Sequence, residues 1–240
     1  MRVDLAMPLT TTIPTFNRWR TAPSIETLRS RYDASALQWQ DNLIRLGQLD
    51  DYQLLFKSEV VSKHLSHLDQ TSKMLDCGVG TGAFSLALLD SLEQPIHVSG
   101  IDISSHMLTE ARRVLGDRCN SLALRREDIS HLPYADESFD AVIFAHVLEH
   151  MTDPVDTLQE IVRVLKPGAP LIASVTRKGF GQLLMSLRWQ NRGYTSRQLV
   201  SFFQTVDLEE VASFDYGASW SRWMCLAAIG VKPNVKSLSL

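Results

Sequence analysis

Three acids, a run of alternating glycines and one histidine stand at the ends of apolar stretches in the middle of this chain. Asp76 precedes Gly78, Gly80 and Gly82 in MLDCGVGTG, Asp102 lies in GIDIS, Asp128 in REDIS and His146 in FAHVLEHM. Glycines in such a turn accept positive φ and let a ligand approach the backbone. The free N–H groups of a following helix attract an anionic group such as a carboxylate. The spacing Gly-x-Gly-x-Gly is not that of dinucleotide sites, and it lacks the Gly-Lys-Ser/Thr ending of nucleotide triphosphatases. A carboxylate at Asp76, at the end of a strand, repels a pyrophosphate and attracts an ammonium. An amino acid carrying a nucleoside satisfies both features, with its ammonium at Asp76 and its carboxylate at the helix start. Asp102, twenty residues past Gly82, can accept hydrogen bonds from both ribose hydroxyls. The competing role, a cap before the next helix, suits Ser104 better.

At these residues the chain resembles a known family. LDCGVGTG is similar to the first motif of the class I S-adenosylmethionine (SAM)-dependent methyltransferases, of the small methyltransferase domain 11 kind. Three further motifs follow in order over about residues 72–175. The resemblance implies SAM as cofactor, held by Asp76, Gly78, Gly80, Gly82 and Asp102. It places Ile103 against the adenine, with Met107 either helping or serving as plain core. It places Asp128 at the adenine amine and the Ile129 N–H at a ring nitrogen, which fits a group that donates beside one that accepts; the adjacent Glu127 is the alternative. Leu132-Pro133-Tyr134, Asp136, Phe139 and Asp140 match the family's approach to the fourth strand and argue against NAD. Tyr32 resembles an N-terminal tyrosine that reaches SAM; the other reading is that Tyr32 and Trp39 pack a cap onto the core.

Methyl transfer from a sulfonium needs alignment in a dry pocket more than it needs acids and bases. A base matters only where the nucleophile keeps a proton at neutral pH. His146 is the candidate, either as base or as a wall of the pocket. His146, Glu149 and His150 sit at helical i, i+3, i+4 spacing, a set that can bind a divalent metal. Ubiquinone-pathway O-methyltransferases carry an acid-rich metal site in this local pattern, but with Glu at the first position, and no metal is expected here. Cys77, Cys119 and Cys225 form neither a disulfide framework nor a zinc spacing.

The elements that position these residues alternate strand and helix, which argues an α/β fold with a mostly parallel sheet. Strands are expected at about 73–76, 97–101, 121–125, 139–145 and 170–175, with helices at about 82–92, 105–115 and 154–165. A helix at 195–203 and two strands at 208–216 and 222–231 complete a Rossmann-like, seven-stranded methyltransferase sheet. The last strand is expected to be antiparallel, with helices on both faces. Before it, residues 1–68 read as a loose arm and a cap of two or three helices, broken at Gly47 and Asp50–Asp51. In that cap Ile25, Leu28 and Tyr32, then Leu37, Ile44 and Leu54, Val61, Leu65 and Leu68, give the apolar faces. Residues 69–240 form the core. An amphipathic lid is expected at about 177–194, with Phe180, Leu183, Leu184, Leu187 and Trp189 on its apolar face. Arg177, Lys178, Arg188 and Arg192 form its charged one.

The 240 residues are 45% hydrophobic and carry a net charge of −3, so one decorated globular domain is expected rather than a nucleic-acid or anionic-membrane binder. No apolar run reaches spanning length, no signal peptide is read at the start, and a cytoplasmic location is expected. The resemblance implies methylation of O, N or C of a small molecule. The rivals are a SAM-using enzyme that keeps the methyl, by alkyl transfer or ring closure, and a non-catalytic SAM-binding module.

Overall fold

A computed structural model describes residues 24–179, 182, 192–218 and 221–234. The sheet has seven strands: β1 Lys73–Cys77, β2 His97–Asp102, β3 Ser121–Arg126, β4 Ala141–Ala145, β5 Pro170–Thr176, β6 Glu209–Phe214 and β7 Cys225–Val231. Their order is β3-β2-β1-β4-β5-β7-β6. β7 runs antiparallel to both neighbours, and the other pairs are parallel. β4 is buried over its first four residues and β5 over its whole length; β4 accordingly reads as a continuous apolar run, as a strand covered on both faces does. The strand order reverses between β1 and β4. In open α/β sheets that switch point leaves a crevice at the carboxyl ends of the strands, where ligands bind.

After β1 comes α4 (Ala83–Leu89), after β2 α5 (Ser105–Leu115), after β4 a short 3₁₀ turn (Leu148–His150) and α6 (Pro154–Val164), and after β5 α7 (Ser196–Thr205). Helix starts follow their side chains. Ser104 Oγ accepts from Met107 N–H, the Asp153 carboxylate from the N–H groups of Val155 and Asp156, and Thr195 with Gln198 closes a capping box. Gly82 holds φ of 85° at the start of α4, and a Cβ there would lie 2.9 Å from Leu115 Cγ on α5. This glycine is required for helix packing, not for ligand approach.

The cap has three helices, α1 (Ile25–Arg45), α2 (Gln48–Lys57) and α3 (Glu59–Leu65). α1 and α2 are broken at Gly47, with φ of 69°, and α2 and α3 at Ser58; Asp50 and Asp51 belong to the first turn of α2. Leu28, Ala36, Leu43, Tyr52, Leu55, Phe56 and, as expected, Val61 and Leu65 turn inward, whereas Ile25, Ile44 and Leu54 are half exposed. The Phe84 ring of α4 meets Tyr52 and Phe56, each at 4.8 Å between centroids. Full burial of a phenylalanine is worth about 2–3 kcal/mol, so this aromatic contact ties α2 firmly to the sheet's covering layer.

The last strand is shorter than its sequence suggests, because Ser221–Met224 forms a helical turn, α8. The buried Asp51 carboxylate accepts from Ala218 N–H at 2.7 Å and Ser221 N–H at 3.3 Å. That fixes the turn from a helix far away in sequence. Most of the expected lid, including Phe180, Gly181, Leu183, Leu184, Leu187, Arg188 and Trp189, lies outside the described residues. Among the described residues no helix is long and apolar enough to cross a membrane.

Candidate active site

The crevice at the switch point opens into a cavity of about 530 Å³, roofed by α1 and α2. Its floor is the loop after β1. Gly78 and Val79 N–H both donate to Ile101 O, at 2.8 and 2.9 Å, which staples the loop to β2. Gly80 N–H donates to Asp102 Oδ2 at 2.9 Å, and Ser104 N–H to Asp102 Oδ1 at 2.8 Å. With Ile103 N–H as a third backbone donor, the carboxylate still has acceptor capacity left. A Cβ on Gly78 would strike Val147 Cγ2 at 2.4 Å, while one on Gly80 would meet nothing within 4 Å. Gly80, at φ of 52°, is therefore the glycine that leaves room for a ligand. Gly78 and Gly80 line the cavity and Gly82 does not.

Asp76 lies beneath this loop, 1% exposed, and is not among the lining residues. Ser85 Oγ donates to its Oδ2 at 2.6 Å. Among the described residues its Oδ1 has no hydrogen-bond partner. Burial raises the Asp76 pKa to about 7 and that of Asp102 to about 6. Two carboxyls kept this costly to ionise do not serve stability; they fit a polar ligand that supplies donors or positive charge.

Beyond Asp102 the wall continues with Ile103, Met107, Glu127, Asp128 and Ile129. Asp128 Oδ1 accepts from Ser130 N–H at 2.9 Å, which orients the carboxylate and leaves its second oxygen available. Opposite, α1 presents Leu28, Tyr32, Ser35, Trp39 and Asn42 to the cavity, with Leu46 just past its end, one stripe at helical spacing. The stripe is latched to the core. Tyr32 Oη lies 2.8 Å from His150 Nε2, with the Tyr32 ring edge-on to Trp39. Asp33 accepts from Ser104 Oγ and pairs with His106 at 3.0 Å. Tyr32 thus lines the cavity and ties the cap to the core.

At the far end stands His146, the residue after β4, held at φ of 57°. Non-glycine residues in that region are uncommon and cluster at working sites. Its Nδ1 lies 3.1 Å from Glu149 Oε1 and 3.3 Å from Thr176 Oγ1; its Nε2 lies 3.1 Å from Gln48 Nε2 and 3.9 Å from Cys225 Sγ. Burial works against charge on the ring, but the Cys225 sulfur and the Glu149 carboxylate outweigh it and raise the pKa to about 10. Burial alone would raise the Glu149 pKa; hydrogen bonding and attraction to His146 hold it below the ordinary value. Glu149 Oε1 also accepts from Thr176 N–H, while Oε2 is unpartnered among the described residues. Nδ1–H is fixed by a carboxylate and Nε2 faces the cavity, but with a pKa of about 10 the ring is charged near pH 7 and can take a proton only in its neutral form. A neutral ring matches the amide nitrogen of Gln48 facing Nε2, and a charged ring requires the amide oxygen there. A half-turn of the amide exchanges the two.

His146 and Glu149 therefore form one hydrogen-bonded pair, and His150 and Tyr32 a second beside it; among the described residues Glu149 Oε2 and His150 Nδ1 have no hydrogen-bond partner. Among the described residues no group of three His, Cys, Asp or Glu side chains is gathered to hold a metal ion. Of the basic residues expected on the lid, Arg177 reaches Asp215 and the Cys225 carbonyl, Arg192 the carbonyls of Met151 and Thr152, and Lys178 is exposed. Gln48, Tyr52, Thr176 and Cys225 escape sequence reasoning. Each reaches the site from an element remote in sequence, and none sits in a motif.

The methyltransferase domain family model matches residues 75–173. A demethylmenaquinone methyltransferase of Lactiplantibacillus plantarum is 32% identical over 167 residues, which cover 69% of this chain and 65% of the relative. The chain thus spans just under two thirds of that relative's length. Two solved structures share the fold. The [4+2]-cyclase SpnF has a TM-score of 0.67 at 20% identity, over 90% of this chain and 98% of the other. The geranyl diphosphate C-methyltransferase from Streptomyces coelicolor also has a TM-score of 0.67, at 12% identity, over 87% of this chain and 97% of the other. At these identities the likeness is one of fold.

Proposed function

Because the chain belongs to the class I SAM-dependent methyltransferases, with its methyltransferase domain at residues 75–173, we propose that it binds SAM in the switch-point crevice and methylates O, N or C of a small molecule. The observation that carries this reading is the orphan Oδ1 of buried Asp76, beneath a loop whose Gly80 is open and whose Asp102 carries spare lone pairs. An ammonium satisfies the first and a ribose diol the last. Ile103, Met107, Asp128 and Ile129 would then flank the adenine, and Tyr32 would cover the ligand from the cap. The cofactor supplies a methyl already activated on a sulfonium. The chain's own part is to exclude water beneath α1 and α2, align the acceptor, and hold or take its proton at His146 Nε2.

The relative named for demethylmenaquinone makes that compound the first acceptor to try. The cyclase among the fold neighbours supports a second reading: a SAM-binding protein of this fold that does not give up the methyl. Product analysis separates the two. The protein is incubated with SAM, alone and with demethylmenaquinol or a metabolite extract, and the nucleoside product is identified by mass spectrometry. S-adenosylhomocysteine formed only with acceptor is the expected result. Methylthioadenosine above the blank would favour alkyl transfer or ring closure, and tight binding without either product would favour a binding module.

Asp76 gives this reading a pH signature. Its folded pKa of about 7 lies above the ordinary carboxylate value, so the ligand-free fold binds the proton more tightly than the unfolded chain. That contribution is full below about pH 4 and is lost as pH rises to about 7. An ammonium ligand needs the carboxylate, so SAM affinity should rise between about pH 6 and pH 8. Binding near pH 6 should release protons, measured by calorimetry in buffers of different ionisation enthalpy. A pH-independent affinity in the Asp76→Asn variant, against a rising one in the parent, would locate the effect.

A further inference from the structure

One feature of the cavity belongs neither to the cofactor nor to the family motifs. Gln48, in the first turn of α2, is 7% exposed and lines the cavity. Its Nε2 donates to Tyr52 Oη at 2.8 Å and lies 3.1 Å from His146 Nε2. The cap thus reaches across the cavity to the one ring nitrogen that a base would use. With Nδ1 engaged by Glu149 and Thr176, both nitrogens of the imidazole are partnered. Any acceptor that hands a proton to Nε2 must first enter between the ring and the Gln48 amide.

We propose that Gln48 and His146 form the acceptor clamp of this site, and that they select an acceptor carrying a free hydroxyl, which inserts between the amide and Nε2. The proposal rests on the methyltransferase reading above and names its substrate class. A hydroxyl is both donor and acceptor. Against a neutral ring it donates to Nε2 and accepts from the amide N–H; against a charged ring it accepts from Nε2–H and donates to the amide oxygen. An ether or ketone oxygen only accepts, so it leaves the Nε2 lone pair unpaired whenever the ring is neutral. A site built to hydrogen-bond a hydroxyl rejects an analogue without one through this desolvation penalty. Tyr52 completes the device: its hydroxyl can accept from the amide or donate to it, so the amide is held in either orientation. The groups around the ring are Glu149 and His150 from the 3₁₀ turn, Thr176 from β5, Cys225 from β7, and Gln48 with Tyr52 behind it from α2.

The test uses 2-naphthylmethanol and its methyl ether as probes, titrated by calorimetry onto the full chain saturated with S-adenosylhomocysteine. Near pH 10, where the His146 ring sheds its proton, the alcohol should bind about tenfold more tightly than the ether, the worth of one hydrogen bond. The preference should shrink at pH 7. Gln48→Leu should erase it at both pH values and leave S-adenosylhomocysteine affinity unchanged. Gln48→Glu is the second variant: an anion facing Nε2 should move the His146 titration upward, read by NMR. Equal affinities near pH 10, no binding of either probe, a preference that survives Gln48→Leu, or an unmoved titration in Gln48→Glu would overturn the clamp. Failure of the parent protein to bind S-adenosylhomocysteine would instead overturn the cofactor reading beneath it.

Discussion

Glu149→Ala should melt roughly 6–20 °C below the parent protein and lose most of its turnover with any acceptor that needs a base. Glu149 is 2% exposed, and one of its oxygens accepts from both Thr176 N–H and the His146 ring. Removing one member of a buried charged pair costs about 3–5 kcal/mol, because its partner is left without compensation. A chain of this size shifts by about 2–4 °C for each kcal/mol. The loss has a pH window. Glu149 titrates below its unfolded value, so its contribution is present above about pH 4.5 and is lost in acid. His146 titrates above its unfolded value, so its contribution is full below about pH 6.5 and is lost as pH climbs through about 10. The gap between variant and parent should therefore be widest between about pH 4.5 and 6.5, measured by urea denaturation at fixed pH. A gap that did not vary with pH would mean that Glu149 acts by packing alone. Glu149→Gln, which keeps the Thr176 contact, should recover much of the stability while turnover stays low.

Asp102→Ala should show the opposite profile: SAM binding weakened about tenfold to a hundredfold, with a much smaller loss of stability. Hydrogen bonds to a charged group contribute about 1.5–3 kcal/mol, and this carboxylate also holds Gly80 N–H in place. Its raised pKa, near 6, means that the ligand-free fold resists its ionisation. Deleting the side chain therefore relieves one cost while removing the hydrogen bonds from the Ser104, Gly80 and Ile103 N–H groups. Isothermal titration with SAM, alongside thermal melts of the ligand-free variant, separates the two quantities. Unchanged affinity would remove Asp102 from the ribose position.

Much of the sheet was legible because its signals are local. The continuous apolar run at Val142–Phe144 suits a strand covered on both sides, and the glycine spacing after Asp76 marks a strand-to-helix turn. The cap was read with less success. Ile44 and Leu54 satisfy a helical period as well as Leu43 and Leu55 do, and only tertiary packing decides which of each pair turns inward. The helical turn at Ser221–Met224 was missed because the acid that organises it, Asp51, lies about 170 residues away. The same holds inside the site. Asp102 and His146 sit in recognisable strings at strand ends. Gln48 follows a helix-breaking glycine, where a polar residue ordinarily faces water; nothing local says that it spans a cavity. The His146, Glu149 and His150 spacing was measured on a continuous helix, whereas the chain turns at His146 into a short 3₁₀ segment.

The aromatic contact of Tyr52 and Phe56 with Phe84 bears on how such a protein can change its substrate over evolutionary time. The roof of the cavity shares its hydrophobic interior with the layer that shapes the cofactor loop, so the two are not interchangeable modules. Grafting another protein's roof onto this sheet would leave Phe84 facing a foreign surface, and the glycine loop ahead of it would feel the misfit. New acceptor preferences are therefore more accessible here through single replacements along the inward stripe of α1, at positions such as Ser35, Trp39 and Asn42, than through exchange of whole helices.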